Sequence, residues 1–98
     1  MANKKHLKVI HQGVAAWNDW REKNPKVDPD ISGAVLARAN LSRAELFDAN
    51  LNWADLFKAN LNGANLCDAH LVEASLDGAT LIGANLRGQT SSRRTSAR

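Results

Sequence analysis

From Pro29 to Gly88 a single five-residue unit recurs twelve times without one slip of register. Written from its second residue back, the unit reads Ala-(Asn/Asp)-Leu-x-x. Its centres are Ile31, Leu36, Leu41, Leu46, Leu51, Leu56, Leu61, Leu66, Leu71, Leu76, Leu81 and Leu86. Two residues before the first centre stands Pro29, and two before each of the others stands Ala.

A period of five excludes the two regular elements. On an α-helix of 3.6 residues per turn, five residues advance about 140° beyond a full turn. Successive leucines would then spiral round the cylinder and build no apolar face. In a straight strand, where side chains alternate, an odd period throws every second Leu to the wrong side. Within one unit, however, Ala and Leu are two apart, so a short extended segment points both the same way. If the chain turns one corner before the next unit, every Ala and Leu faces a common interior. The sequence therefore predicts an all-β solenoid in which five residues make one side of a coil.

The corner residues agree with this. Gly33, Gly63, Gly78, Gly83 and Gly88 all stand two after a centre, where a turn needs relaxed backbone angles. Asn or Asp precedes the centre at 30, 40, 50, 55, 60, 65 and 85, and short polar side chains of this kind bond to nearby backbone in turns.

The run Ala-Asn-Leu-Asn-Gly-Ala-Asn-Leu-Cys-Asp and its neighbours resemble the pentapeptide repeat family. The resemblance covers about sixty of the 98 residues. It implies a right-handed, four-sided parallel β-helix with four units per coil, and so about three coils here. Residues twenty apart would stack in ladders roughly 4.8 Å apart, the usual strand spacing.

Residues 1–28 read as an amphipathic cap and linker. A helix is expected from 3 to about 23, with Asn3 as N-cap. Leu7, Ile10, Val14, Trp17 and Trp20 fall three or four apart on one stripe. Lys4, Lys8, Asn18, Asp19, Arg21 and Glu22 mostly lie off it, and Gly13 is a weak point. A solenoid must close its first coil, and this stripe is suited to cover Ile31, Leu36, Leu41 and Leu46. The Trp-containing stretch before Asn-Pro also resembles segments that precede the repeats in some family members. Asn24 to Asp28, with Pro25, links cap to coils.

Positions on either side of each centre face outward, so functional residues are sought there. Trp53 is expected at a corner, and Phe57 on the following side with Val35 and Ala37 stacked beneath. A solvent-facing apolar patch can mark a binding surface, which makes Trp53, Phe57 and Val35 the candidate partner surface. Phe47 falls on the opposite side, in the same ladder as Cys67. Cys67 and His70, three apart, invite a thiol–imidazole or metal reading, but no third His or Cys stacks on them. Asn40/Asn60 and Asn65/Asn85 read as stacked amides. Asp48 and Asp68 place like charges in one ladder, a small screened cost.

Charge separates along the chain. Residues 1–28 carry six Lys/Arg and three Asp/Glu, residues 29–88 four and seven, and residues 89–98 three Arg and no acid. The last segment is expected to be a disordered basic tail, with too few cations to make nucleic acid an expected partner. It leaves the third coil open, and an open edge invites a homodimer through that coil. No run approaches a membrane span, and one Cys gives no disulfide framework, which fits a cytoplasmic protein. No phosphate loop, metal cluster or nucleophile–base pair is legible, so catalytic, cofactor and metal residues and a small-molecule substrate are not expected. Some family members mimic DNA and shield a type II topoisomerase. That role needs dense acidic ladders, whereas the acids here, at 30, 45, 48, 55, 68, 73 and 77, are dispersed. A structural or protein-interaction module is the expected function.

Overall fold

The chain turns a corner in every one of the twelve units. In the computed structural model, which describes residues 2–91, the N–H three residues after each centre donates to the centre's own carbonyl. This series runs from Ala34 to Ile31 at 3.1 Å through to Gln89 to Leu86 at 3.3 Å. The residue two after each centre has φ between 56° and 74°, whether it is Gly or one of Arg38, Arg43, Asp48, Trp53, Lys58, Asp68 and Glu73. Positive φ at the third residue is the signature of a type II turn. Asp30, Asn40, Asn50, Asp55, Asn60, Asn65 and Asn85 each accept through Oδ1 from the N–H two residues on, at 3.0–3.2 Å. The short polar residues before the centres thus orient the entry to the corner.

With four corners the backbone returns to its starting side. Parallel bridges join 30 to 50, 35 to 55, 40 to 60 and 45 to 65, and continue from 50 to 70 through 65 to 85. The offset is always twenty residues. Two-residue strands β1 (His70–Leu71) and β2 (Thr90–Ser91) extend the same parallel pairing. Pairing therefore runs past Gly88, two to three residues beyond the end of the repeats. The tail expected over 89–98 lies, for residues 92–98, outside the described residues.

The interior is the column that the repeat calls for. The centres from Ile31 to Leu76 are all at most 4% exposed, and Ala44 to Ala79 at most 1%. Removing a Leu from water contributes roughly 1.5–3 kcal/mol, so this column is the main source of stability. The last coil departs from expectation. Leu81 is only partly buried and Leu86, assigned to the core on its spacing, is 40% exposed. No described coil stacks above it.

The cap is two helices, not the single helix expected over 3–23. α1 is Lys4–His11 and α2 is Val14–Lys23. Asn3 caps α1, accepting from Lys5 N at 2.9 Å and His6 N at 3.2 Å. The break falls at Gly13, with φ 109° and ψ 168°, a region nearly closed to residues with a Cβ. A Cβ there would meet nothing within 4 Å. Conformation alone thus demands glycine, and Gly13→Ala is expected to cost about 1–3 kcal/mol in a urea titration. Tolerance of Ala would mean that the helix–helix joint rearranges freely.

The cap also replaces a missing coil. In inner coils the N–H before each centre donates downward, as Asn50 does to Pro29 O, and the carbonyls accept from below. In the first coil those groups meet cap residues instead. Asp30 N donates to His6 Nδ1 at 3.0 Å, and Asp30 O accepts from Asn3 N at 2.9 Å. Glu45 N donates to Asn18 Oδ1 at 2.8 Å, and Glu45 O accepts from Trp17 Nε1 at 2.8 Å. Arg21 Nη2 donates to Phe47 O. Leu7, Val9, Val14 and Trp20 pack on the column beside fully buried Trp17 and Ile10.

Arg21 corrects the helical-wheel reading, which placed it off the apolar stripe. It is 2% exposed, with its guanidinium 3.8 Å from the Phe47 ring centroid and Nη1 donating to Val27 O at 3.1 Å. Burial lowers its pKa most, while Asp48, Asp28 and Glu45 act in the opposite direction.

Candidate interaction surface

The outward residues fall where the register puts them. Val35 pairs with Asp55, so Phe57, two residues on, shares that side, with Ala37 twenty residues beneath it. Trp53 occupies the preceding corner at φ 61°. Val35 is 69% exposed, Trp53 64% and Phe57 37%. Two cations lie over the Phe57 ring: Lys58 Nζ is 5.4 Å and the Arg38 guanidinium 5.6 Å from its centroid. The Phe57 end is thus bordered by cations, while Asp55, paired with Val35, stands on the same side of adjacent coils whose backbones are bonded to each other.

The Trp53 corner is anchored by Asn52. Its N–H donates to Asn50 Oδ1, its carbonyl accepts from Gly33 N, and its Oδ1 accepts from Val72 N at 2.9 Å. The last bond compensates for a departure from the repeat. His70 stands where an Asn or Asp would hold Val72 N locally. Asn62 does the same for Ile82 N, since Thr80 replaces the local Asx. The sequence carried this signal, as Asn52 and Asn62 stand twenty residues below Val72 and Ile82, whose N–H groups have no local Asn or Asp as acceptor. Losing the bond in Asn52→Ala should cost about 1 kcal/mol. Adding His70→Asn should return most of it by supplying the local acceptor, a coupling that a double-mutant cycle in urea measures directly.

Other candidates disperse. Phe47 is taken by Arg21 under the cap and does not join the patch. Cys67 Sγ lies 3.6 Å from Asp68 Oδ2. Burial first, then the Asp68 and Asp48 carboxylates, raise the Cys67 pKa. Less thiolate means a poorer nucleophile and metal ligand. Among the described residues no cluster of three or more His, Cys, Asp and Glu could hold a metal ion. Sequence reasoning missed Ile82, Leu86 and Val27, which are 74%, 40% and 37% exposed. Ile82 could have been found, since it follows a centre and so points outward. Among the described residues no helix is long and apolar enough to cross a membrane.

The twelve-fold register is matched by a family model for pentapeptide repeats, in eight copies over residues 30–63 and 49–88. The chain belongs to the pentapeptide repeat family. Solved structures of other pentapeptide repeat proteins are similar to it. A thylakoid lumen protein of Arabidopsis thaliana is 27% identical, with a TM-score of 0.42 over 70% of this chain and 58% of its own. HetL of the cyanobacterium Nostoc sp. strain PCC 7120, involved in heterocyst differentiation regulation, is 39% identical, with a TM-score of 0.43 over 64% and 28%. A protein of the cyanobacterium Cyanothece 51142 is 33% identical, with a TM-score of 0.27 over 72% and 62%. This pentapeptide repeat chain thus spans less than two thirds of each of those relatives. No curated protein matches it.

Proposed function

We propose that the chain is a non-enzymatic, cytoplasmic protein-interaction module, built as a right-handed four-sided parallel β-helix. The observation that carries this is the patch of Val35, Trp53 and Phe57, three large apolar side chains held open to solvent on a hydrogen-bonded scaffold. Ordered coils present such a surface with little further entropy to lose on binding. DNA mimicry is not supported by the charge pattern, since among the acids of the repeats only Asp48 and Asp68 are twenty residues apart.

The test is affinity capture from the native host's lysate with wild type and a Trp53→Ser/Phe57→Ser variant. Circular dichroism first establishes that both are equally folded. A protein retained by the wild type and lost by the variant supports the patch. Equal capture profiles overturn it.

A second reading, self-association through the last coil, rests on Ile82 and Leu86 at that end. The cap already fills downward-facing backbone positions at Asp30, Glu45 and Phe47. A second copy therefore fits against the last coil in a closed twofold pair. A monomer at all concentrations in sedimentation equilibrium rejects that reading.

A further inference from the structure

We propose that the two-helix cap is an acid-releasable lid on the first coil, with His6 as its latch. His6 is buried against the column on α1, its ring tilted on Trp20 of α2 with centroids 4.8 Å apart. Its Nδ1 accepts from Asp30 N at 3.0 Å. An imidazolium carries a proton on both nitrogens and accepts nothing. Protonation therefore sets two N–H groups face to face at the point where the cap substitutes for a lower coil. It also adds a charge to a buried position near the Arg21 guanidinium.

The surroundings work in both directions, and burial is the largest influence. Burial lowers the His6 pKa below the ordinary 6.5, Asp30 from the first coil raises it, and Arg21 from α2 lowers it further. The net shift is downward. A histidine with a lowered folded pKa contributes stability that is complete above the unfolded value. That stability is lost as pH falls below the unfolded value and through the folded one. The latch is closed at neutral pH and opens in acid.

Opening has a defined consequence. The bonds of Asn18 and Trp17 with Glu45, and of Arg21 with Phe47, all lie on α2, which the latch on α1 reaches through the Trp20 ring. α1 and α2 also pack on each other. Release exposes the ends of Ile31, Leu36, Leu41 and Leu46 together with the downward-facing backbone of the first coil. This is an edge with the geometry to pair with an extended segment.

The experiment is amide and indole hydrogen exchange by NMR on the full chain at about pH 7.5 and about pH 5.5, corrected for intrinsic rates. Protection of Asp30 N–H, Glu45 N–H and Trp17 Nε1–H should fall together by about fivefold or more, the size of one lost hydrogen bond. His6→Asn keeps an acceptor that does not titrate, so it should flatten the dependence. His11→Asn, at an exposed position, should leave it in place. Should His6→Asn fold poorly, the wild-type imidazole answers independently. Its nitrogen shifts should show an unprotonated Nδ1 at neutral pH and a midpoint below 6.5. A midpoint at or above 6.5 overturns the proposal. So does loss of protection confined to Asp30, or an undiminished dependence in a folded His6→Asn.

Discussion

Replacing Trp17 by alanine should lower stability by about 3–5 kcal/mol, the usual cost of emptying a large buried site. The side chain is fully buried between the cap and the first coil, beside Trp20 at 5.2 Å between ring centroids. Its indole N–H is also the donor to Glu45 O. Trp17→Phe separates the two roles. It keeps most of the apolar area but leaves a buried carbonyl without its donor, and should cost about 1–3 kcal/mol. Thermal unfolding is a sufficient measurement, because a domain of this size loses about 4–8 °C per kcal/mol. Equal losses for the two variants would mean that the hydrogen bond, rather than the packing, seats the cap.

The second large effect is positional. Leu56→Ala should cost about 2–5 kcal/mol, whereas Leu86→Ala, chemically the same change, should cost less than about 1 kcal/mol. Leu56 is fully buried with coils on both sides, so its deletion leaves a cavity bounded by Leu36 and Leu76 in the same ladder. Leu86 is 40% exposed and has no described coil above it. A stack stabilised by nearest-neighbour contacts predicts this gradient from middle to end. Urea midpoints for the pair decide it, and equal losses would show that the last coil is covered in solution.

Much of this architecture could be read from the chain because one physical requirement was repeated. The centre, the Ala two before it, the positive-φ corner two after it and the Asx side chain before it each recur. A stray residue such as His70 or Thr80 therefore could not blur the register. The cap was legible only in part. Its apolar stripe was visible in Leu7, Ile10, Val14, Trp17 and Trp20, but the break at Gly13 was not, since one glycine is tolerated in many helices. Arg21 and His6 were missed for a different reason. Their burial depends on unpaired carbonyls and N–H groups at the end of a coil, which are tertiary facts with no local signature. Leu86 was misplaced because spacing specifies the direction of a side chain, while burial also needs something to lie upon it. Trp53, Phe57 and Val35 were legible as outward residues; of the cations at Phe57, Lys58 is its chain neighbour, whereas Arg38 comes from the coil below.

The constant offset of twenty residues also determines how such a chain can change length. Deleting or duplicating one unit keeps every leucine inside, yet it rotates all downstream sides by a quarter turn relative to the cap. Made between them, such a change would leave Val35 no longer sharing a side with Phe57, although the core would be intact. Four units added together leave each side in line and only lengthen the column. Foldability is thus counted in steps of five, but a surface that spans coils survives only in steps of twenty.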